Sequence, residues 1–592
     1  MRTSIATVCL SGTLVDKLHA IADAGFDAVE VFEPDLIAAP QSPEEVRALC
    51  DRLGLRIALY QPFRDAEGVT EPEFAQVLRR AEAKFVLMDR LGVDTVLVCS
   101  NVATASIDDD AVSAAQLARL ADRADAHGKR LAFEALAWAR YIDDYRRAWR
   151  IVERADHRAV GVCLDSFHIL SRGHDPADIE RIPGDRIFFV QLADAPLLSM
   201  DVLSWSRHHR LFPGEGGFDL PAFVGHTLRA GYTGPLSLEV FNDVFRQTDP
   251  ARTARHARRS LTVLEDALES GAARPAAEPR ELDQVEVKAH DTDAVAAVLE
   301  RIGFAPRGRH VTKPAWLYTA GEARIVLNEH NAAGRDPHVA GFGIRTDWPE
   351  EAAARAEHLG AQRAHRRVLA GEADLPAVLA PDGTEILISG PESSPAWPSE
   401  FAGGRGTPDP AIRGIDHVNL TEPAADIEEA VLFYGTALGL ARDSSAELAG
   451  PAGLVRSQVL RSADGAVRLA LNVVPPFAER AAASRHAQHV AIACDDLPAL
   501  IGRARARGLR TVPVSANYYD DLAARLELPD TDLERLQHAG LLYDRDASGE
   551  YLHCYTETVG SVFFELVERR GRYDGFGAAN TPVRLTAQHS TA

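Results

Sequence analysis

Four polar residues each close a short apolar run: Glu134 in Arg130-Leu-Ala-Phe-Glu, Asp165 in Val160-Gly-Val-Cys-Leu-Asp, Gln191 in Ile187-Phe-Phe-Val-Gln, and Glu239 in Pro235-Leu-Ser-Leu-Glu. Three carboxylates and one amide oxygen are hard donors, suited to a divalent cation such as Mg²⁺, Mn²⁺ or Co²⁺. A cation held in this way polarises a carbonyl and shares negative charge that develops on its oxygen. Far along the chain a second set stands out, His417, His489 and Glu565, also on strand-like runs. Two imidazoles and a carboxylate form a facial triad that leaves positions open on a metal such as Fe(II), with Mg²⁺ or another divalent ion as the alternative.

The runs that position the first set recur at 4–9, 28–32, 56–61, 95–100, 131–136, 161–164, 187–192 and 236–241. Helical apolar spacing fills the intervals, as at Leu14, Leu18, Ile21 and Ala22 before Gly25. Eight strand and helix units close a (β/α)8 TIM barrel, whose strand carboxyl ends converge on one mouth. This predicts a barrel over 1–270, an α/β fold. An Ala-, Pro- and charge-rich stretch, 271–281, reads as a linker, and a Pro- and Gly-rich stretch, 393–411, reads as a second. They leave two segments, 282–392 and 412–592, that look like copies of each other. Leu282-Asp-Gln-Val matches Ile415-Asp-His-Val, and Asp347-Trp-Pro matches Asp496-Leu-Pro. In that alignment His417, His489 and Glu565 face Gln284, Ala340 and approximately Ile388, so the first copy is expected to be degenerate and metal-free.

Composition narrows the function classes. A 592-residue chain is too long for one core. Its 46% apolar and 25% charged content is that of a soluble globular protein. A net charge of -22 argues against nucleic acid as a partner. Six cysteines lie in apolar runs without paired zinc spacing, which predicts reduced thiols and a cytoplasmic location. The amino-terminal apolar run is short for a signal peptide and reads as a first strand, and no run predicts a membrane span.

The segment from about 282 to 580 resembles 4-hydroxyphenylpyruvate dioxygenase, of the vicinal-oxygen-chelate superfamily. The likeness is carried by Gln488-His-Val-Ala, Asn517-Tyr-Tyr-Asp-Asp-Leu, Leu542-Tyr-Asp-Arg-Asp, Phe563-Phe-Glu-Leu-Val-Glu-Arg and Gly575-Phe-Gly-Ala-Ala-Asn. It implies two βαβββ modules, an α+β half, with His417, His489 and Glu565 as metal ligands and Ser457, Asn472 and Gln488 at polar pocket positions. His553 and Tyr555 depart from the Gln and Phe of that pattern, and Asn580-Thr-Pro departs from its Asn-Phe.

The first 270 residues are similar to the xylose-isomerase-like barrels at Phe133-Glu, Leu164-Asp-Ser-Phe-His, Val190-Gln-Leu-Ala-Asp, Phe212-Pro-Gly-Glu-Gly-Gly and Leu238-Glu-Val-Phe. Gln191 stands where many relatives have histidine. Together the halves resemble the bacterial 3-dehydroshikimate dehydratases that are fused to a dioxygenase-like half. That resemblance implies a lyase of quinate and shikimate catabolism, which turns 3-dehydroshikimate into 3,4-dihydroxybenzoate (protocatechuate) and water. It also implies a homo-oligomer. Within this reaction His168 is the expected general acid and base, and Arg64, Ser206, Arg207 and Arg210 are expected to bind substrate. A sugar isomerase or epimerase barrel stays open, as does a second half that either oxidises an aromatic 2-oxo acid with O₂ or serves assembly or effector binding.

Overall fold

The computed structural model of the protein describes residues 1–270, 278–332, 335–391, 396–451, 453–474 and 487–591. Most of the predicted first linker, 271–277, lies outside them, as do 393–395 of the second. The chain forms two compact units, Met1–Arg274 and Pro275–Ala592.

In the first unit eight parallel strands close a barrel in chain order. They are β1 (Thr3–Ala6), β2 (Ala28–Phe32), β3 (Arg56–Phe63), β4 (Thr95–Cys99), β5 (Arg130–Glu134), β6 (Val160–Asp165), β7 (Ile187–Leu192) and β8 (Leu236–Leu238). The two strands flanking the seam are shorter than the sequence predicts. There the Cys9 thiol donates to the Leu238 carbonyl at 3.5 Å and accepts from the Val240 N–H at 3.1 Å, in place of ladder bonds. Helices start where Thr13, Ser42 and Thr70 pair with Asp16, Glu45 and Glu73 in capping boxes.

Side chains of a strand repeat on one face every second residue. Ala132, Cys163 and Phe189 belong to one buried cluster, and Glu134, Asp165 and Gln191 follow each of them by two positions. The apolar layer therefore forms a floor on which the polar layer stands. Glu239 follows β8 directly. The loops after β3 and β4 are tied together, since Glu67 accepts from the Asn101 N–H at 3.0 Å and the Asn101 amide donates to the Glu67 carbonyl at 2.9 Å.

The second unit holds a nine-stranded and an eight-stranded mixed sheet. One hydrophobic cluster runs through both, from Val285 and Phe342 to Val418 and Ile492. Strand pairing refines the alignment of the two copies. Gln284 pairs with Gly343 as His417 pairs with Ala491, and Glu286 pairs with Gly341 as Asn419 pairs with His489. Gly343 in turn faces Leu387 as Ala491 faces Glu565. The counterparts of His489 and Glu565 are thus Gly341 and Leu387, each one residue from the Ala340 and Ile388 expected from sequence. The two copies stay in step from Gly341 through Arg345, so the slip arises past the strand end, where Cys494 and Asp495 precede Asp496 but Thr346 alone precedes Asp347. The stretch read as a second linker also needs correcting. Phe401–Gly403 adds a strand to the edge of the nine-stranded sheet, and the buried Trp397 donates to Asp283 at 2.9 Å. Two large aromatic anchors outweigh the surrounding prolines and glycines.

Candidate active site and metal centres

At the barrel mouth Asp165 works in two directions. Its Oδ1 caps the short helix Ser166–Leu170 by accepting from the N–H groups of Phe167 at 2.6 Å and His168 at 3.2 Å. That leaves Oδ2 for the site, where it accepts from Arg210 Nη1 at 2.8 Å. The same Nη1 lies 3.2 Å from Glu239 Oε2, while Nε and Nη2 of Arg210 donate to Ser206 Oγ at 3.2 and 2.9 Å. Arg210 is fully buried, with its guanidinium 4.6 Å from the Phe167 ring centre. The sequence reading placed Arg210 and Ser206 against substrate. The structure instead spends the guanidinium on two of the expected metal ligands and uses Ser206 to hold it.

His168 is brought to the same place. Its Nδ1 accepts from the Ala137 N–H at 3.2 Å, and its Nε2 faces Arg210 Nη2 at 3.3 Å, Asp165 at 3.8 Å and Glu134 at 3.9 Å. Trp138 packs against the imidazole at 4.9 Å. Burial holds His168 down at about 3, against the pull of Asp165, which favours the neutral imidazole.

Two further residues complete the layer and were not singled out in the sequence. Glu30 Oε2 accepts from the Gln191 amide at 2.7 Å and from the Gln61 amide at 2.9 Å, and the Gln61 amide also reaches Glu239 at 2.9 Å. Glu30 thereby fixes the Gln191 nitrogen, while the Gln191 oxygen accepts from the Cys163 thiol at 3.3 Å and keeps a second lone pair that a cation could use. The signal was available, because Glu30 is an acid inside the apolar run Ala28-Val-Glu-Val-Phe. Burial pushes Glu30 up to about 8 and Glu239 up to about 7, and raises Glu134 well above the usual carboxylate range. Burial opposes ionisation of Asp165 too, but the Arg210 guanidinium beside it holds it low. Four buried carboxylates face one guanidinium, and Glu134 Oε1 has no hydrogen-bond partner among the described residues. This excess of acidic groups over cations, whose charged forms a bound cation would favour, and the orphaned oxygen fit a divalent cation.

Arg64 and Arg207 are the remaining predicted cations. Neither has an ion-pair partner among the described residues, and Arg207 packs 5.6 Å from the Phe241 ring centre. Burial, with Arg64 and Arg210 close by, lowers Arg207. Asp194 and Glu215 serve the loop after β7. Asp194 accepts from the N–H groups of Gly214 at 3.1 Å and Phe218 at 3.0 Å, and Glu215 binds the Phe212 N–H at 3.0 Å and His256.

In the carboxyl-terminal unit the predicted triad assembles. His417 Nε2 lies 3.3 Å from His489 Nε2, and Glu565 Oε2 lies 3.2 and 3.1 Å from these nitrogens. The outward atoms are mostly occupied: His417 Nδ1 meets Asp416 at 2.8 Å, and Arg569 grips Asp416 at 2.7 and 2.8 Å. Glu565 Oε1 meets His553 Nδ1 at 2.7 Å and accepts from Tyr551 at 3.1 Å. Asn580 donates to His553 Nε2 at 2.9 Å, which leaves the ring proton on Nδ1, aimed at Glu565. The family departure at His553 thus became an orienting group for a ligand. Three donor atoms turned to one point, with their rear atoms held, fit a metal ion. Beside them is a cavity of about 440 Å³, lined by Ser457 and Asn472 among others. Gln488 is not in its lining; its side-chain oxygen accepts from the Val339 N–H at 3.1 Å.

Residues 18–264 match the xylose isomerase-like TIM barrel family, and residues 414–532 match the glyoxalase/bleomycin resistance protein/dioxygenase superfamily. A 3-dehydroshikimate dehydratase of Pseudomonas putida is 41% identical, covering 99% of this chain and 98% of its own length. The chain belongs to the 3-dehydroshikimate dehydratase family. A counterpart from Pseudomonas aeruginosa is also 41% identical over 99% of this chain and 98% of its length. A solved structure described as a xylose isomerase-like TIM barrel/4-hydroxyphenylpyruvate dioxygenase fusion protein superposes with a TM-score of 0.90 at 40% identity, covering 100% of this chain and 99% of that one. Family membership thus extends over both halves.

Proposed function

We propose that the barrel is a divalent-metal-dependent 3-dehydroshikimate dehydratase, a carbon–oxygen lyase that forms 3,4-dihydroxybenzoate and water through an enediolate. The observation that carries this reading is the buried layer of Glu134, Asp165, Gln191 and Glu239, with one orphaned carboxylate oxygen, in a chain whose full-length relatives bear that name. These four residues would hold the cation, which when bound polarises the ketone and shares the charge of the enediolate.

The remaining steps belong to side chains. Arg64 and Arg207 offer forked donors to the substrate carboxylate. His168 Nε2 takes the proton next to the ketone, and the electron pair of that C–H bond moves toward the ketone oxygen. The same imidazole returns the proton to the β-hydroxyl as its C–O bond breaks, releasing water. Enolisation of the resulting dienone yields the aromatic ring. Arg210 keeps Asp165 ionised and favours the charged form of Glu239 against its burial. The carboxyl-terminal half is read as a dioxygenase-like domain in which His417, His489 and Glu565 hold Fe(II) or another divalent ion.

Purified protein given 3-dehydroshikimate should form the aromatic ultraviolet absorber, lose this activity on chelation and regain it with added metal. Metal-loaded protein that forms no 3,4-dihydroxybenzoate would overturn the reading.

A further inference from the structure

We propose that the cavity beside His417, His489 and Glu565 binds a ring carboxylate that carries two adjacent oxygen donors, with Arg584 receiving the carboxylate. The choice of ligand class rests on the barrel reading, because the substrate and the product assigned there both have this chemistry.

Arg584 lines the cavity and is only 6% exposed. Its Nη1 donates to Gln588 at 2.9 Å, and among the described residues no carboxylate pairs with it. Another arginine in the same lining behaves differently, since Arg461 meets Asp443 at 3.0 Å and also pairs with Asp574. A guanidinium withdrawn from water without a counter-charge is costly, and the cost is relieved when an anion enters.

The geometry links this cation to the triad. The Arg584 guanidinium carbon lies 5.4 Å from the Tyr555 ring centre and 5.5 Å from that of Phe563. The same two rings lie 6.0 and 4.9 Å from the His489 imidazole. Arg584 and His489 therefore share two ring neighbours, and both open on the same cavity as His417 and Glu565. A triad of this type leaves neighbouring coordination positions open for a vicinal oxygen pair. The cavity, about 440 Å³, falls within the range of small-molecule sites.

The test is calorimetric titration of full-length, zinc-loaded protein carrying Glu134→Ala, so that the barrel does not turn ligand over. One molecule of 3,4-dihydroxybenzoate should bind per chain at this site, and His417→Ala should abolish that binding. Arg584→Gln should weaken it about tenfold to a hundredfold while leaving the binding of catechol, which lacks the carboxylate, unchanged. Arg584→Lys should keep most of the preference. A parallel titration with 3-dehydroshikimate names the source: whichever ligand binds more tightly marks the occupant as product or precursor of the barrel. The proposal is overturned if neither binds, if catechol binds as tightly as the acid, or if binding survives His417→Ala. Turnover by the unmutated barrel is measured separately, so failure of one reading leaves the other standing.

Discussion

Arg210 sets the electrostatics of the barrel site, because among the described residues it is the one buried guanidinium paired with Asp165 and Glu239. Replacing it with alanine leaves buried charge uncompensated. Arg210→Ala should destabilise the metal-free protein by about 3–5 kcal/mol and the metal-loaded protein by clearly less, read by thermal unfolding with and without metal. Equal losses in both forms would show that a cation does not share this task. The contrast between Glu134 and Glu30 shows what a sequence reveals at this scale. Glu134 was visible because it ends an apolar run, where a barrel presents its chemistry. Glu30 lies in the middle of a run, and its partners Gln61 and Gln191 come from β3 and β7, so only closure of the sheet gives it a role. The same holds for Arg210, whose loop position says nothing of the two carboxylates it meets.

The loops after β3 and β4 meet at Glu67. Its carboxyl is pushed from 4.5 up to about 7, chiefly by burial. Between these values the folded chain holds a proton that the unfolded chain has released, so stability falls as pH rises through this window. The span corresponds to about 3 kcal/mol. Glu67→Gln should therefore unfold at a higher temperature than the parent at pH 8 and close to it near pH 4, measured by thermal melts across the range. The eight strands themselves were legible from apolar runs at regular intervals. Their exact ends were not, because at the seam a cysteine thiol replaces ladder bonds, and the edge strand Phe401–Gly403 was hidden by flanking prolines and glycines.

Each unit has its own hydrophobic cluster and its own set of convergent ligands. The protein should bind two divalent ions per chain, Glu134→Ala and His417→Ala should each leave one, and the double variant none, as read by elemental analysis of dialysed protein. The internal duplication was legible from two motif pairs, but its register was not, since a one-residue difference in length past the strand end is invisible without the strand partners. The pairing puts Gly341 where the second copy has His489. A Cβ built at Gly341 would stand 2.3 Å from the Glu385 carbonyl oxygen, which leaves no space for any side chain. Grafting the triad onto the first copy with Gln284→His, Gly341→His and Leu387→Glu should therefore fail to add a third metal equivalent. Exchanging side chains alone cannot build a second such centre here, because the two copies differ in the path of their backbone and not only in what it carries.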